Sequence, residues 1–172
     1  KKGTLSVPDF YVTYLTEAQK RGIYTLNILD YGNKEYDGGD FPNSPEGVEG
    51  YVRYSETLVK EFKGKARLFQ IWNEWDGGCG MAAFKGKNNT GAIYVNLLKA
   101  VYPRIKAANP EAVVVSNSIC TGDKALKEHL DQGMIKYCDV VALHTYNYHN
   151  GTPSDWYTRM LGVDKMLREY SN

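Results

Sequence analysis

The sequence predicts an α/β fold in which helices alternate with the strands of a parallel sheet. Helical and strand patterns follow one another in a single α-β-α-β-α-β-α-β-α series along the 172 residues, and such alternation is typical of right-handed βαβ units. Polar candidate residues follow every strand at its carboxyl end, where barrel sites lie. Two architectures fit, a doubly wound open sheet and part of a (β/α)8 TIM barrel. No glycine-rich nucleotide-binding pattern follows any strand, which favours the partial barrel with about four βα units.

The first half of the chain predicts two helices and two strands. Residues 8–20 have apolar side chains at helical spacing, with a proline in the first turn and a glycine after the end. Residues 23–29 form a β-prone apolar run. A serine, a proline and a glutamate at residues 44–46 begin the second helix, which a glycine ends at residue 64. The next strand starts at residue 67 and ends in Trp72-Asn73-Glu74.

The second half predicts three helices and two strands: in order, 91–108, 112–116, 123–132, 139–144 and 154–170. Pro103 lies inside the first of these helices, so we expect a kink or a break near Tyr102. Two connections, 30–44 and 76–89, are longer than plain turns and are rich in Gly, Asp and Asn. Loops of that length are often binding loops.

The composition argues against several classes of protein. Charges nearly cancel, with 21 basic against 20 acidic residues, and no block of like charge indicates nucleic acid or an anionic membrane as a partner. We find no apolar run long enough to span a bilayer and no signal peptide. Because the chain begins Lys1-Lys2 without Met, we expect a processed or trimmed product.

No cofactor or metal site is predicted. His, Asp and Glu show no metal-ligand spacing, and the serines after the third strand lack a nucleophile-elbow pattern. The three cysteines, at positions 79, 120 and 138, match neither a disulfide framework nor a zinc pattern. We expect free thiols, with a single bridge as the alternative. His129 is predicted to be exposed on a helix and inert.

The strongest candidate motif is Trp72-Asn73-Glu74-Trp75, at the end of the second strand. The Glu74 carboxyl can move a proton, the Asn73 amide can grip a hydroxyl, and indole faces stack on sugar rings. Trp75 is the better candidate for such a stacking platform, while Trp72 is a candidate for filling the barrel interior. The alternative is that Glu74 is an ordinary solvated loop residue. The Trp72-Asn73-Glu74 triplet and its place in a βα series favour a carbohydrate site instead.

Other candidates follow the remaining strands. Further sugar contacts are predicted at five positions: Asp30, Tyr31, Asn33, Asn117 and Tyr148. A capped turn explains the first three nearly as well. His144 and Tyr146 follow the fourth strand and are predicted to belong to the catalytic site. The alternatives are a core histidine hydrogen-bonded at a strand end and a tyrosine that simply packs.

These motifs resemble clan A of the glycoside hydrolases. The resemblance rests on Ile71-Trp-Asn-Glu-Trp75, on His144-Thr-Tyr146 two strands later, and on the segments 28–33 and 102–110. It is strongest to the family thirty-nine and cellulase-like bacterial branch, which includes xylosidases, iduronidases and exopolysaccharide hydrolases. The resemblance covers nearly the whole chain and places its first strand as strand three of the barrel.

The resemblance implies a (β/α)8 barrel and a retaining mechanism. The clan's general acid/base follows strand four and matches Glu74, and the Asn that grips the sugar 2-hydroxyl matches Asn73. His144 and Tyr146 match the pair after strand six that orients the nucleophile and lines the subsite. The nucleophile itself, a Glu at the end of strand seven, has no match here, and neither do strands one, two, seven and eight.

We therefore expect residues 1–172 to be one catalytic-barrel domain, incomplete at both ends. The expected function is a retaining glycoside hydrolase acting on a poly- or oligosaccharide, with the nucleophile outside this chain and the isolated fragment inactive. The missing strands are expected from the same chain or from a partner chain. The alternatives are a non-catalytic carbohydrate-binding module and a structural half-barrel. An extracytoplasmic location is expected only by association with polysaccharide hydrolases.

Overall fold

The computed structural model describes residues 3–80, 90–146 and 151–171. Its strands are β1 (Leu26–Leu29), β2 (Leu68–Ile71), β3 (Val113–Ile119) and β4 (Val140–Leu143). Its helices are α1 (Asp9–Lys20), α2 (Pro45–Glu61), α3 (Gly91–Ala108), α4 (Asp123–Asp131) and α5 (Pro153–Ser171). Each strand pairs in parallel with the next one along the chain, giving the sheet order β1-β2-β3-β4. The predicted α/β alternation and parallel sheet are confirmed, and the sequential order is that of successive strands in a (β/α)8 barrel.

The core lies between one face of the sheet and the helices. Leu29, Phe69, Ile71 and Val114 are almost completely buried on this side, and the apolar stripe of α3 packs against them. On the opposite face of the sheet, Leu26 and Ile28 in β1 and Val140 in β4 are each more than 40% exposed. In a closed barrel that face would be the packed interior. The two outer strands thus present apolar groups that this part of the barrel leaves uncovered.

The structure shifts two strand boundaries from those predicted. β1 begins at Leu26 rather than at residue 23, because the Ile23 N–H bonds back to the Ala18 carbonyl and extends the end of α1. β3 continues to Ile119 rather than ending at residue 116. Two of its buried polar side chains, Ser116 and Ser118, have tertiary hydrogen-bond partners. The Ser116 hydroxyl accepts from the Ala142 N–H at 3.0 Å, and the Ser118 hydroxyl donates to Gln70 Oε1 at 3.1 Å.

Of the kink or break predicted near Tyr102, the break is wrong. α3 continues through the proline to Ala108, although the ring removes the bond to the Lys99 carbonyl. Val101 and Ile105, on either side of Pro103, are fully buried in the core. Pro103 itself lies on the exposed face of the helix.

Tyr94 ties α3 to the two central strands. Its buried hydroxyl donates to the Ile71 carbonyl at 2.9 Å and accepts from the Asn117 N–H at 2.6 Å. Tyr94→Phe leaves both backbone groups unpaired in the core, so we expect it to lower the free energy of unfolding by about 1–3 kcal/mol. Urea denaturation measures this. Tyr24→Phe, at a site 84% exposed, is the control, and equal midpoints for the two variants would contradict the expectation.

Candidate active site

Three of the four strands place candidate residues at one rim of the sheet. Tyr31 comes just after β1, Glu74 just after β2, and His144 directly after β4. Because the strands are parallel, their carboxyl ends meet at the same edge. Side-chain hydrogen bonds join residues from different strands there, Asn73 to Tyr31 and His144 to Glu74.

Glu74 is the centre of this cluster. Its Oε1 accepts a hydrogen bond from His144 Nδ1 at 2.6 Å and another from the Tyr146 hydroxyl. Its Oε2 accepts from the Cys79 thiol, with Sγ at 3.0 Å. The Glu74 side chain is only 14% exposed, against 35% for His144. Both carboxylate oxygens are therefore engaged, and one face of the cluster opens to solvent through His144 and Tyr146.

These contacts set the charge of Glu74. Partial burial raises its pKa, but the hydrogen bonds from Cys79, His144 and Tyr146 outweigh burial and lower the pKa to about 2. Among the described residues no second carboxyl group bonds Glu74. In this chain Glu74 is therefore a carboxylate at neutral pH, which suits it to accept a proton or to stabilise positive charge.

The backbone around Glu74 is strained. Glu74 has φ +46° and Trp72 has φ +66°, the left-handed region that costs non-glycine residues about 1–3 kcal/mol each. The buried Trp72 ring and its Nε1 bond to the Cys79 carbonyl, at 3.0 Å, fix the turn. The N–H groups of Gly77 and Cys79 both donate to the Glu74 carbonyl, at 3.0 and 3.2 Å. The turn that follows Glu74 is therefore hydrogen-bonded to the backbone of Glu74 itself.

Asn73 connects the rim of β2 to that of β1. Its Nδ2 donates to the Tyr31 hydroxyl at 3.1 Å, and Tyr31 remains 43% exposed. The Tyr31 ring lies over Gly80, where a Cβ would stand 2.0 Å from a ring carbon. Gly80 has φ +88°, so both its backbone and its neighbour require glycine.

A cleft of about 580 Å3 adjoins the cluster on the β1 side. Asp30, Tyr31 and Asn33 line it together with residues of α2. Burial raises the pKa of Asp30, opposed by a hydrogen bond from Tyr31. Asn33 Oδ1 accepts from the Glu35 N–H at 2.9 Å, so this side chain also closes the turn that the sequence analysis offered as the alternative.

Trp75 does not lie where a stacking platform requires. It is fully buried, stacked on Phe41 with ring centroids 4.0 Å apart and in contact with Trp72 and Tyr94. Trp75 therefore belongs to the core that supports the Glu74 turn. The same core encloses Trp72, which is also fully buried.

The predicted environments of two further residues, Asn117 and His129, are wrong, and a third predicted residue lies outside the described part of the chain. Asn117, expected in a loop, lies inside β3 and is fully buried, because the strand runs on past the polar residues. His129, expected to be exposed, is 1% exposed and packs on Tyr94. Its Nδ1 lies 2.7 Å from the Ala125 carbonyl, and burial lowers its pKa. Tyr148 lies outside the described residues.

Sequence reasoning missed Cys79. The cysteine sits between two glycines in an irregular loop, and nothing in that pattern shows that the turn returns its thiol to Glu74. The three cysteines are free thiols, as expected. Within residues 3–80, 90–146 and 151–171, no cluster of three or more His, Cys, Asp and Glu side chains could hold a metal ion. In the same part of the chain, no helix combines the length and the apolar character needed to cross a bilayer.

Comparisons with known proteins identify the fold. No protein-family model matches the sequence, and no curated protein matches it. A family 39 glycoside hydrolase from the gut symbiont Bacteroides cellulosilyticus is similar in structure, with a TM-score of 0.69 and 24% identity over 88% of this chain and 33% of its own. A monomeric β-xylosidase from Caulobacter crescentus gives a TM-score of 0.63 and 19% identity over 99% and 39%. The catalytic domain 2 of the Ostrinia furnacalis Group II chitinase gives 0.57 and 14% over 87% and 39%.

These likenesses establish a partial TIM-barrel fold of the kind found in glycoside hydrolases. The chain covers most of its own length in each superposition but spans only 33% to 39% of these three proteins. Four parallel strands with alternating helices thus correspond to part of a barrel.

Proposed function

We propose that this chain is the central part of the catalytic barrel of a retaining glycoside hydrolase that acts on a poly- or oligosaccharide. One observation supports the proposal above all. A carboxylate at the carboxyl end of β2, Glu74, is bonded by His144 and Tyr146 from the end of β4. The barrel likeness to solved glycosidases adds to it, because barrel sites lie at this rim.

Glu74 has the role of general acid and then general base. Its carboxyl proton passes to the glycosidic oxygen as the bond from that oxygen to the sugar C1 breaks, and C1 bonds to a nucleophile carboxylate outside this chain. Glu74 then takes a proton from water, whose oxygen attacks C1 and releases the nucleophile. Asn73, braced against Tyr31, holds a sugar hydroxyl. His144 and Tyr146 orient Glu74.

The charge of Glu74 explains why the chain needs the rest of the barrel. A general acid must carry its proton near neutral pH, whereas three hydrogen bonds lower the pKa of Glu74 to about 2 despite its burial. Retention requires a second carboxyl group about 5–5.5 Å away. A like charge at that distance raises the pKa of its neighbour. The nucleophile carboxylate therefore has two effects: it forms the covalent bond to C1, and it raises the pKa of Glu74 so that Glu74 can hold its proton.

The isolated 172 residues are expected to release no 4-nitrophenol from a panel of 4-nitrophenyl glycosides above the buffer rate, because they lack the second carboxylate. The full-length protein is expected to hydrolyse one of them with retention of the anomeric configuration. Proton NMR of the first-formed sugar measures the anomer. Hydrolysis by the isolated chain, or an inverted product, would contradict the proposal. Oligosaccharide binding without hydrolysis by the full-length protein would favour a binding module instead.

A further inference from the structure

We propose that Cys79 is a positioning residue for Glu74. The Cys79 thiol donates to Oε2, the proton-transferring oxygen of Glu74, and the glycosidic oxygen of the substrate replaces the thiol there. The inference rests on the proposed function and adds a residue that the sequence did not indicate. It assigns separate tasks to the two carboxylate oxygens: Oε1 fixes the group, and Oε2 does the chemistry.

The division follows from where the hydrogen-bond donors lie. Oε1 receives two of them, His144 Nδ1 at 2.6 Å and the Tyr146 hydroxyl. A proton placed on Oε1 would point at both donors. Among the described residues, Oε2 is bonded by Cys79 alone, with Sγ at 3.0 Å. Oε2 is therefore the oxygen that can carry the proton of a general acid.

The turn holds the thiol in place through its backbone. The Cys79 N–H donates to the Glu74 carbonyl at 3.2 Å, and the Cys79 carbonyl accepts from the buried Trp72 Nε1 at 3.0 Å. Gly78 and Gly80 have positive φ, which lets the chain reverse on both sides of Cys79. The Sγ position thus depends on the same turn that presents Glu74.

A thiol is suited to be a hydrogen-bond partner that the substrate displaces. It is a weak donor and a weak acceptor, so it can donate to the carboxylate, or accept from Oε2–H once Glu74 is protonated. A glycosidic oxygen can replace it at little cost. The hydrogen bond to Glu74, with burial, raises the pKa of the Cys79 thiol to about 11. The group therefore remains a protonated donor at neutral pH and is not a nucleophile.

The test is a titration of the Glu74 side-chain carboxyl by carbon-13 NMR in the full-length protein. Cys79→Ala is expected to raise the pKa of Glu74 by about 1, because a hydrogen bond to the charged form is lost. Cys79→Ser supplies a stronger donor and is expected to lower the pKa of Glu74 below the wild-type value. Cys138→Ala removes a buried thiol whose Sγ lies 3.6 Å from the Met134 carbonyl, and it is expected to leave the pKa of Glu74 unchanged.

Activity supplies the second readout. In the Cys79→Ala variant, the alkaline limb of the kcat/KM profile should shift to higher pH by about 1, the expected rise in the pKa of Glu74. The reason is that Glu74 must be protonated to act as an acid. An unchanged pKa of Glu74 in Cys79→Ala overturns the inference whether or not the protein is a hydrolase. If Cys79→Ala does not fold, Cys79→Ser tests the inference. Its hydroxyl is a stronger donor to Oε2 and should lower the pKa of Glu74 below the wild-type value. A pKa of Glu74 equal to the wild-type value would then contradict the contact. Absence of hydrolysis by the wild-type protein would instead reject the proposed function.

Discussion

Glu74→Gln in the full-length protein is expected to lower kcat by about 10²–10⁴-fold on glycosides with poor leaving groups, the usual contribution of general acid–base catalysis. The amide has the shape of the carboxylate but can neither give a proton to the glycosidic oxygen nor take one from water. Glycosides with activated aryl leaving groups need less protonation, so their first step should be slowed least. Steady-state rates on both substrate classes measure the difference.

The control for Glu74→Gln is Glu111→Gln. Glu111 is exposed and precedes β3 at the amino end of the strand, opposite the rim, so its loss should leave kcat unchanged. Azide, an anion that needs no general base, should restore turnover of the aryl substrate in the Glu74 variant, because the second step no longer requires a proton to be removed. Wild-type kcat in Glu74→Gln on poor leaving groups would reject the role of general acid/base.

The fold and the rim could be predicted because both follow from local patterns. Apolar runs that alternate with helical periodicity leave few topologies other than a parallel sheet. Once the strands are parallel, residues that follow them must share an edge, which is why Glu74 and His144 were expected together and are hydrogen-bonded. This inference needs no knowledge of side-chain conformation.

The wrong predictions concern positions at which contacts with distant residues determine the structure. The polar residues at the end of β3 resemble a loop by composition, yet Tyr94 satisfies the Asn117 N–H and Gln70 pairs with Ser118, so the strand continues. His129 is an exception: it shares the buried face of α4 with Leu126 and Leu130, so helical spacing could have predicted its burial. The Cys79 contact depends on a turn made by strained φ angles at Trp72 and Glu74, which sequence spacing does not reveal.

The charge of Glu74 could not be predicted from the sequence. The hydrogen-bond donors Cys79, His144 and Tyr146 lower the pKa of Glu74 to about 2 despite partial burial. The number of donors that converge on a carboxylate is a property of the folded rim. Under the proposed function, a nucleophile carboxylate would have to raise the pKa of Glu74 against these same donors.

Trp75→Ala is expected to lower the free energy of unfolding by about 3–5 kcal/mol, as large-to-small changes of buried aromatic residues do. The indole is fully buried among Phe41, Trp72 and Tyr94, so its removal leaves a cavity beneath the Glu74 turn. Trp75→Phe should cost less. It keeps a ring against Phe41 and removes an indole N–H that has no hydrogen-bond partner among the described residues.

Urea denaturation and sugar binding together distinguish a core role for Trp75 from a stacking platform. For a core residue, Trp75→Phe in the full-length protein should keep the wild-type affinity for the sugar while its unfolding midpoint falls slightly. Tyr31→Ala is the comparison, because this ring is exposed at the rim and braces Asn73, so its removal should weaken sugar binding with less effect on stability. Weakened binding in Trp75→Phe without loss of stability would restore the platform and would mean that the indole turns outward when sugar binds.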